Sequence, residues 1–129
     1  MDFMHDTLAD GQKIRVLTVI DVFTRECLAL DVRTRFRGID VAAVLGDLVA
    51  EHGKPRTIRC DQGTEFTSLA MDHWVYWNGV SLDFSRPGTP GDNARNEAFD
   101  ATIRRECLTL HYFLNLAEAE GILRAWQLE

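Results

Sequence analysis

Apolar and polar positions alternate with a period that changes along the chain, and each change marks an element. Residues 13–23 (Lys-Ile-Arg-Val-Leu-Thr-Val-Ile-Asp-Val-Phe) are dense in β-branched and aliphatic side chains, which predicts a buried strand. Residues 26–33 predict a second strand, joined to the first as a hairpin by a short turn near Thr24 and Arg25. Residues 2–5 predict a strand before these, with Leu8 to Gly11 as its turn. From 39 to 52 the period lengthens. Val41, Val44, Leu45 and Leu48 form a helical stripe, and Gly53 supplies the stop. Residues 57–60 predict a short strand broken by Asp61, Gln62 and Gly63. Residues 67–78 predict a helix closed by Gly79, and residues 80–84 alternate as a strand. A loop rich in Pro and Gly covers Arg86 to Gly91. Asp92 or Asn93 then caps a helix running to about Leu110, and a last helix covers Leu116 to Trp126. An antiparallel meander followed by alternating helix and strand predicts an α/β layered domain with a mixed sheet.

Composition narrows the function classes. No apolar run approaches the 18 residues a membrane span needs. Asp2, Asp6 and Asp10 stand where a secretory leader would carry a basic start and an apolar run. The three cysteines (Cys27, Cys60, Cys107) are widely spaced and form no CxxC, and His5, His52, His73 and His111 show no ligand spacing. A zinc site is not indicated, and the thiols read as reduced residues of a cytoplasmic protein. The formal charge is −6, from 14 basic and 20 acidic residues. That balance argues against an autonomous, tight DNA binder, since contacts from Lys and Arg to phosphate dominate such affinity. It leaves room for an enzyme that meets DNA through bound cations and a local basic face.

Three acids stand where chemistry could gather. Asp61 directly follows a short apolar strand and precedes Gly63, which places it at the carboxyl end of that strand. In open α/β sheets, sites form at that end. Asp2 sits in the first strand, and Glu97 in the opening turns of the helix after the Pro/Gly loop. Three carboxylates meeting at one point repel each other unless a hard cation such as magnesium joins them. The plain structural readings are a terminal residue for Asp2, a turn residue for Asp61 and a surface acid for Glu97, with Glu106 a competing choice nearby. Asp21 reads as structural. Trp74, Tyr76 and Trp77 read as core and rim, and Gly88 and Gly91 as turn formers rather than a phosphate cradle.

The segments Met1-Asp2-Phe3, Asp61-Gln62-Gly63-Thr64-Glu65-Phe66, and Pro87 to Pro90 leading into Asn93-Ala94-Arg95-Asn96-Glu97 resemble the integrase core of bacterial insertion-sequence transposases. These are the two-reading-frame kind related to retroviral integrases. The runs from Val19 to Cys27 and from Arg104 to Leu108 resemble that family as well, so the likeness covers nearly the whole chain. Residues 62 to 96, 35 in all, separate Asp61 from Glu97, the spacing of the family's DDE motif. Residues 3 to 60, 58 in all, separate Asp2 from Asp61.

The resemblance implies a ribonuclease-H-like fold, with a five-stranded mixed sheet flanked by helices. It implies a catalytic and metal-binding triad of Asp2, Asp61 and Glu97. Two magnesium ions, with manganese as substitute, would be held about 4 Å apart once DNA is bound. It implies cleavage at DNA 3′-ends and strand transfer, with transposon ends and target DNA as partners, a homodimer or higher multimer, and action in the bacterial cytoplasm. Glu97, Ala101 and Arg104 share one helix face, with Arg104 about 10 Å beyond Glu97 along the axis. Arg104 is therefore the first candidate for DNA contact, followed by Arg105, Asn93 and Arg86. Residues 1–127 read as one catalytic domain excised from a longer protein with an upstream helix-turn-helix region, and Leu128 and Glu129 as a cloning scar. Two other classes stay open: a ribonuclease-H-like nuclease that only hydrolyses, and an inactive assembly module of a decayed element.

Overall fold

A computed structural model of the chain describes residues 1–86 and 94–128. The chain divides into two compact units, Asp2–Arg35 with Arg95–Glu129, and Met1 with Phe36–Ala94.

The first unit is built on a meander of β1 (Asp2–Thr7), β2 (Lys13–Ile20) and β3 (Cys27–Arg33). Both pairings are antiparallel, with Asp2 opposite Thr18 and Met4 opposite Val16 in one, and Val16 opposite Val32 in the other. Side chains alternate between faces along a strand, so Met4, Ile14, Val16, Leu30 and Val32 share one face. Against it pack α3 (Ala94–Glu106) and α4 (Leu116–Gln127), through Ile103, Cys107, Ala119 and Leu123. Phe113 and Leu108 complete this core. The Asn115 side chain caps α4 by accepting from the Glu118 amide at 2.9 Å. The stripe Leu116, Ala119, Leu123 and Trp126 gives α4 its inward face, and Trp126 meets Phe99 of α3 edge-on at 5.8 Å.

The second unit joins α1 (Gly38–His52), β4 (Thr57–Cys60), α2 (Leu69–Asn78) and β5 (Ser81–Phe84). β4 and β5 pair in parallel, from Thr57 opposite Ser81 to Cys60 opposite Phe84. Val41 and Leu45 are the buried pair of α1's predicted stripe. The Ser68 side chain caps α2 by accepting from the Met71 amide, and Gly79 ends it in the left-handed conformation at φ 67°. Gly38 opens α1 against Ser68 so closely that a Cβ there would collide with the Ser68 side chain.

The α/β class stands, while the pairing differs in detail from one five-stranded sheet. Among the described residues the strands form a three-stranded antiparallel sheet and a two-stranded parallel one. β4 and β5 are only four residues each, so each ladder is short. Other boundaries also move. β2 stops at Ile20 because Asp21 builds the turn: its carboxylate accepts from the Phe23 and Thr24 amides, and Arg25 follows at φ 63°. α3 ends at Glu106, not near Leu110. Leu108–Leu110 tightens into a 3-10 turn, and the Thr109 hydroxyl donates to the Arg104 carbonyl at 2.9 Å. That break lets Leu108 and Phe113 enter the core. Tyr76 and Trp77, read from sequence as core and rim, are about four-fifths exposed, because α2 buries Met71 and turns these two rings outward. All three cysteines are free. Among the described residues no helix is long and apolar enough to cross a membrane.

Candidate active site

Asp61 follows the last residue of β4, at the carboxyl end of the parallel pair, as its sequence context predicts. It is exposed, and its Oδ1 accepts from the Gly63 amide at 2.8 Å. The neighbouring backbone is fixed from two sides. Gln62 Nε2 donates to the Ser85 carbonyl at 3.2 Å, and Ser85 returns its amide and hydroxyl to the Cys60 carbonyl. Phe66, fully buried, anchors the far side of the turn. The turn is tight at Gly63: a Cβ there would lie 3.0 Å from Asp61 Oδ1 and 3.4 Å from Glu65 Oε2, so those carboxylates would have to shift slightly.

Asp2 and Glu97 belong to the other unit. Asp2 opens β1 on the same sheet face as Thr18, and its Oδ1 accepts from the Phe3 amide at 2.8 Å. Glu97 lies in the first turn of α3 and is exposed. The inward stripe of that helix carries Asn96, Phe99, Asp100, Ile103 and then Cys107. Two of these are polar, and they bond back to the sheet. Asn96 Nδ2 donates to Thr18 Oγ1 at 2.7 Å, and Thr18 Oγ1 donates to Asp100 Oδ1 at 2.8 Å. The Asp100 carboxyl is hydrogen-bonded in turn to that of Asp2. Burial, followed by this carboxyl–carboxyl contact, pushes Asp100 up from 3.8 to about 7, against the lowering effect of Thr18.

Asp100, Thr18 and Asn96 are the site residues that sequence reasoning passes over. A signal exists for each. Thr18 is the polar residue inside the Val-Leu-Thr-Val-Ile run, and Asn96 and Asp100 interrupt an apolar stripe at i and i+4. Among the described residues no group of three or more His, Cys, Asp or Glu is disposed to hold a metal ion. Burial pushes the Cys27 thiol up to about 12, with its Sγ donating to the Ala29 carbonyl at 3.5 Å, so it is no nucleophile.

The candidate DNA contacts are placed as follows. Arg104 is exposed at the far end of α3 and donates from Nη2 to the His5 carbonyl at 3.0 Å. Ala101 between it and Glu97 is also exposed, so all three occupy the outward face. Arg105 and Arg86 are exposed as well. Asn93 lies outside the described residues, as do Asp92 and the loop from Pro87 to Gly91.

A family profile described as "Integrase core domain" matches residues 1–90, and a second of the same description matches residues 78–129. An uncharacterized 31.7 kDa protein of insertion element IS407 from Burkholderia multivorans is 41% identical over 127 residues, covering 98% of this chain and 46% of that protein. A 39.2 kDa protein of IS476 from Xanthomonas euvesicatoria is 39% identical, covering 98% of this chain and 37% of its own length. The transposase for insertion sequence element IS904 from Lactococcus lactis is 33% identical, covering 78% of this chain and 40% of that protein. The chain thus spans less than half the length of these relatives. Among solved structures, the simian T-cell lymphotropic virus intasome in complex with PP2A regulatory subunit B56 gamma superposes with a TM-score of 0.80. That match has 16% identity and covers 98% of this chain and 45% of the other. The HTLV-2 integrase catalytic core domain in complex with magnesium, in a trimeric form, gives a TM-score of 0.67 at 15% identity, covering 96% of this chain and 80% of the other. These likenesses establish the ribonuclease-H-like fold. The chain belongs to the integrase core domain family.

Proposed function

We propose that the chain is the catalytic domain, residues 1–127, of a DNA transposase that cleaves DNA 3′-ends and transfers them to a target strand. The observation that carries this reading is the DDE spacing of Asp61 and Glu97 within a chain of the integrase core family. Asp2, Asp61 and Glu97 are the proposed ligands of the divalent ions. The donor chemistry fits: carboxylate oxygens suit a hard cation such as magnesium or manganese. The setting of Asp100 fits as well: burial and the neighbouring Asp2 carboxyl raise it, and two adjoining acids mark a place that favours added positive charge. When bound, a pair of such ions supplies activation of the attacking hydroxyl and stabilisation of the leaving oxygen. The three side chains act as ligands only, and no covalent link between protein and DNA is expected.

Arg104, on the outward face with Glu97, is proposed to grip a phosphate next to the one cut, with Arg105, Arg86 and Asn93 as further contacts. The acidic balance of the chain, −6, is met by assigning most DNA affinity to these local cations and to the rest of a longer protein. DNA ends, target DNA and further copies of the chain are the proposed partners, and the bacterial cytoplasm the place of action. Support comes from intasome and trimeric relatives and from three reduced thiols.

The test is joining of a labelled 3′-end to target DNA. Asp61→Asn and Glu97→Gln are each expected to abolish it while the circular dichroism spectrum is kept. Joining retained by either variant would sink the assignment. Hydrolysis without joining in the unaltered chain would instead identify a nuclease.

A further inference from the structure

The carboxylate triad accounts for neither the buried polar chain beneath α3 nor the acid at its end. Thr18 faces Asp2 directly across the β1–β2 ladder and is fully buried, and Asn96 is 2% exposed. Within an otherwise apolar layer, such groups persist only when hydrogen-bonded. The bonds run in one direction. The Asn96 amide donates to Thr18 at 2.7 Å and reaches Asp100 Oδ1 at 3.4 Å. The single Thr18 proton goes to Asp100 at 2.8 Å rather than to the Asp2 carbonyl at 3.3 Å. Asn96 Oδ1, by contrast, is buried with no partner among the described residues. Turning the amide over would remove the donor to Thr18 and set a second acceptor in competition with Asp100 for the one Thr18 proton. In the observed orientation the amide nitrogen holds both Thr18 and Asp100.

Asp100 is one helical turn beyond Glu97, a rise of about 4.5 Å along the axis. The chain therefore links the strand that carries Asp2 to the helix that carries Glu97. We infer that Asn96, Thr18 and Asp100 form a positioning relay, in which Thr18, seated between the Asp2 carbonyl at 3.3 Å and Asp100 Oδ1 at 2.8 Å, fixes α3 on the β1–β2 ladder and so sets Asp2 and Glu97 relative to each other. This rests on the proposed role of Asp2 as a metal ligand. Asp100 is a positioning residue in this scheme, not a ligand. A side chain that accepts from Thr18 suffices, and an asparagine does so.

Manganese binding to the chain, read from the free-ion paramagnetic signal, and 3′-end joining test it together. Asp100→Leu is expected to weaken both by roughly tenfold or more, the usual cost of losing the partner that orients a ligand, in protein still folded by circular dichroism. Asp100→Asn is expected to restore both to near the unaltered level. Thr18→Val and Thr18→Ser form a second pair, loss and rescue, should Asp100→Leu not fold. Asp61→Asn runs alongside. If Asp61→Asn abolishes joining while Asp100→Leu and Thr18→Val leave both readouts unchanged, the relay is refuted and the reading of the site stands. If Asp100→Asn is as damaged as Asp100→Leu, Asp100 acts through its charge as a ligand, and the positioning role is overturned. If Asp61→Asn keeps joining, the site reading falls, and the relay with it.

Discussion

Thr18 Oγ1 donates to Asp100 Oδ1 at 2.8 Å, tying a central strand to the helix that carries Glu97. Valine in place of Thr18 keeps the shape but removes the hydroxyl, leaving the Asn96 amide and the Asp100 carboxyl without their shared partner. The expected loss is about 1–3 kcal/mol, the cost of an unmatched buried polar group. Urea denaturation of Thr18→Val against the unaltered chain measures it. A midpoint within error of the parent would mean the hydroxyl contributes nothing net.

The same acid makes stability depend on pH. Asp100 is raised from 3.8 to about 7, by burial first and then by its hydrogen bond with Asp2. An acid raised on folding binds its proton more tightly in the folded state. Its contribution is therefore fully present below the unfolded value and is lost as pH rises through about 7. In chelator, the melting temperature is expected to fall between these limits, and Asp100→Asn to flatten that part of the profile. A parent curve that rises across this window would contradict the assignment.

Much of this architecture is legible in the sequence, where physical signals are local. Val41 and Leu45 announce α1's buried face, Gly79 its neighbour's end, and Asp61 its place after β4, because period and turn chemistry act over a few residues. The misjudged features depend on distant partners. β2 loses Asp21 to Phe23 because the Asp21 side chain builds a turn. α3 loses Cys107 to Leu110 because Leu108 and Phe113 are needed in the core. The Thr18–Asp100 bond joins residues 82 apart, and Thr18 alone reads as one more strand residue. Tyr76 and Trp77 show the converse: large aromatic rings suggest burial, yet neighbouring helix positions cannot both face inward.

Gly38 is where α1 meets the cap of α2. Alanine there would drive its Cβ into the Ser68 side chain and to within 3.1 Å of the Glu65 carbonyl. Gly38→Ala is expected to cost about 1–3 kcal/mol through overpacking, despite alanine's better helix propensity. Glycine at an N-cap costs only a few tenths of a kcal/mol, so Ser68→Gly alone should be mild. The double variant should recover most of the loss, giving a coupling energy by double-mutant cycle. Simple additivity of the two substitutions would show that the close approach is not the cause.

Arg104 poses a choice between two jobs that one measurement separates. Its Nη2 holds the His5 carbonyl at 3.0 Å, which by itself would make it a surface tether between α3 and β1. Its guanidinium has further donors, and it shares the exposed helix face with Glu97 and Ala101. A tether removed by Arg104→Ala would lower stability slightly and leave DNA affinity alone. A phosphate contact removed by the same change would weaken DNA binding uniformly across sequences and flatten the slope of log affinity against log salt by about 1. The second outcome is expected, because a single exposed hydrogen bond contributes little while a lost phosphate contact releases one fewer counterion. Lysine at the same position should keep the salt slope, since that slope counts charge, and lose only the planar geometry that lets arginine grip two oxygens at once. An Arg104→Ala variant with an unchanged salt slope would assign this residue to the fold alone.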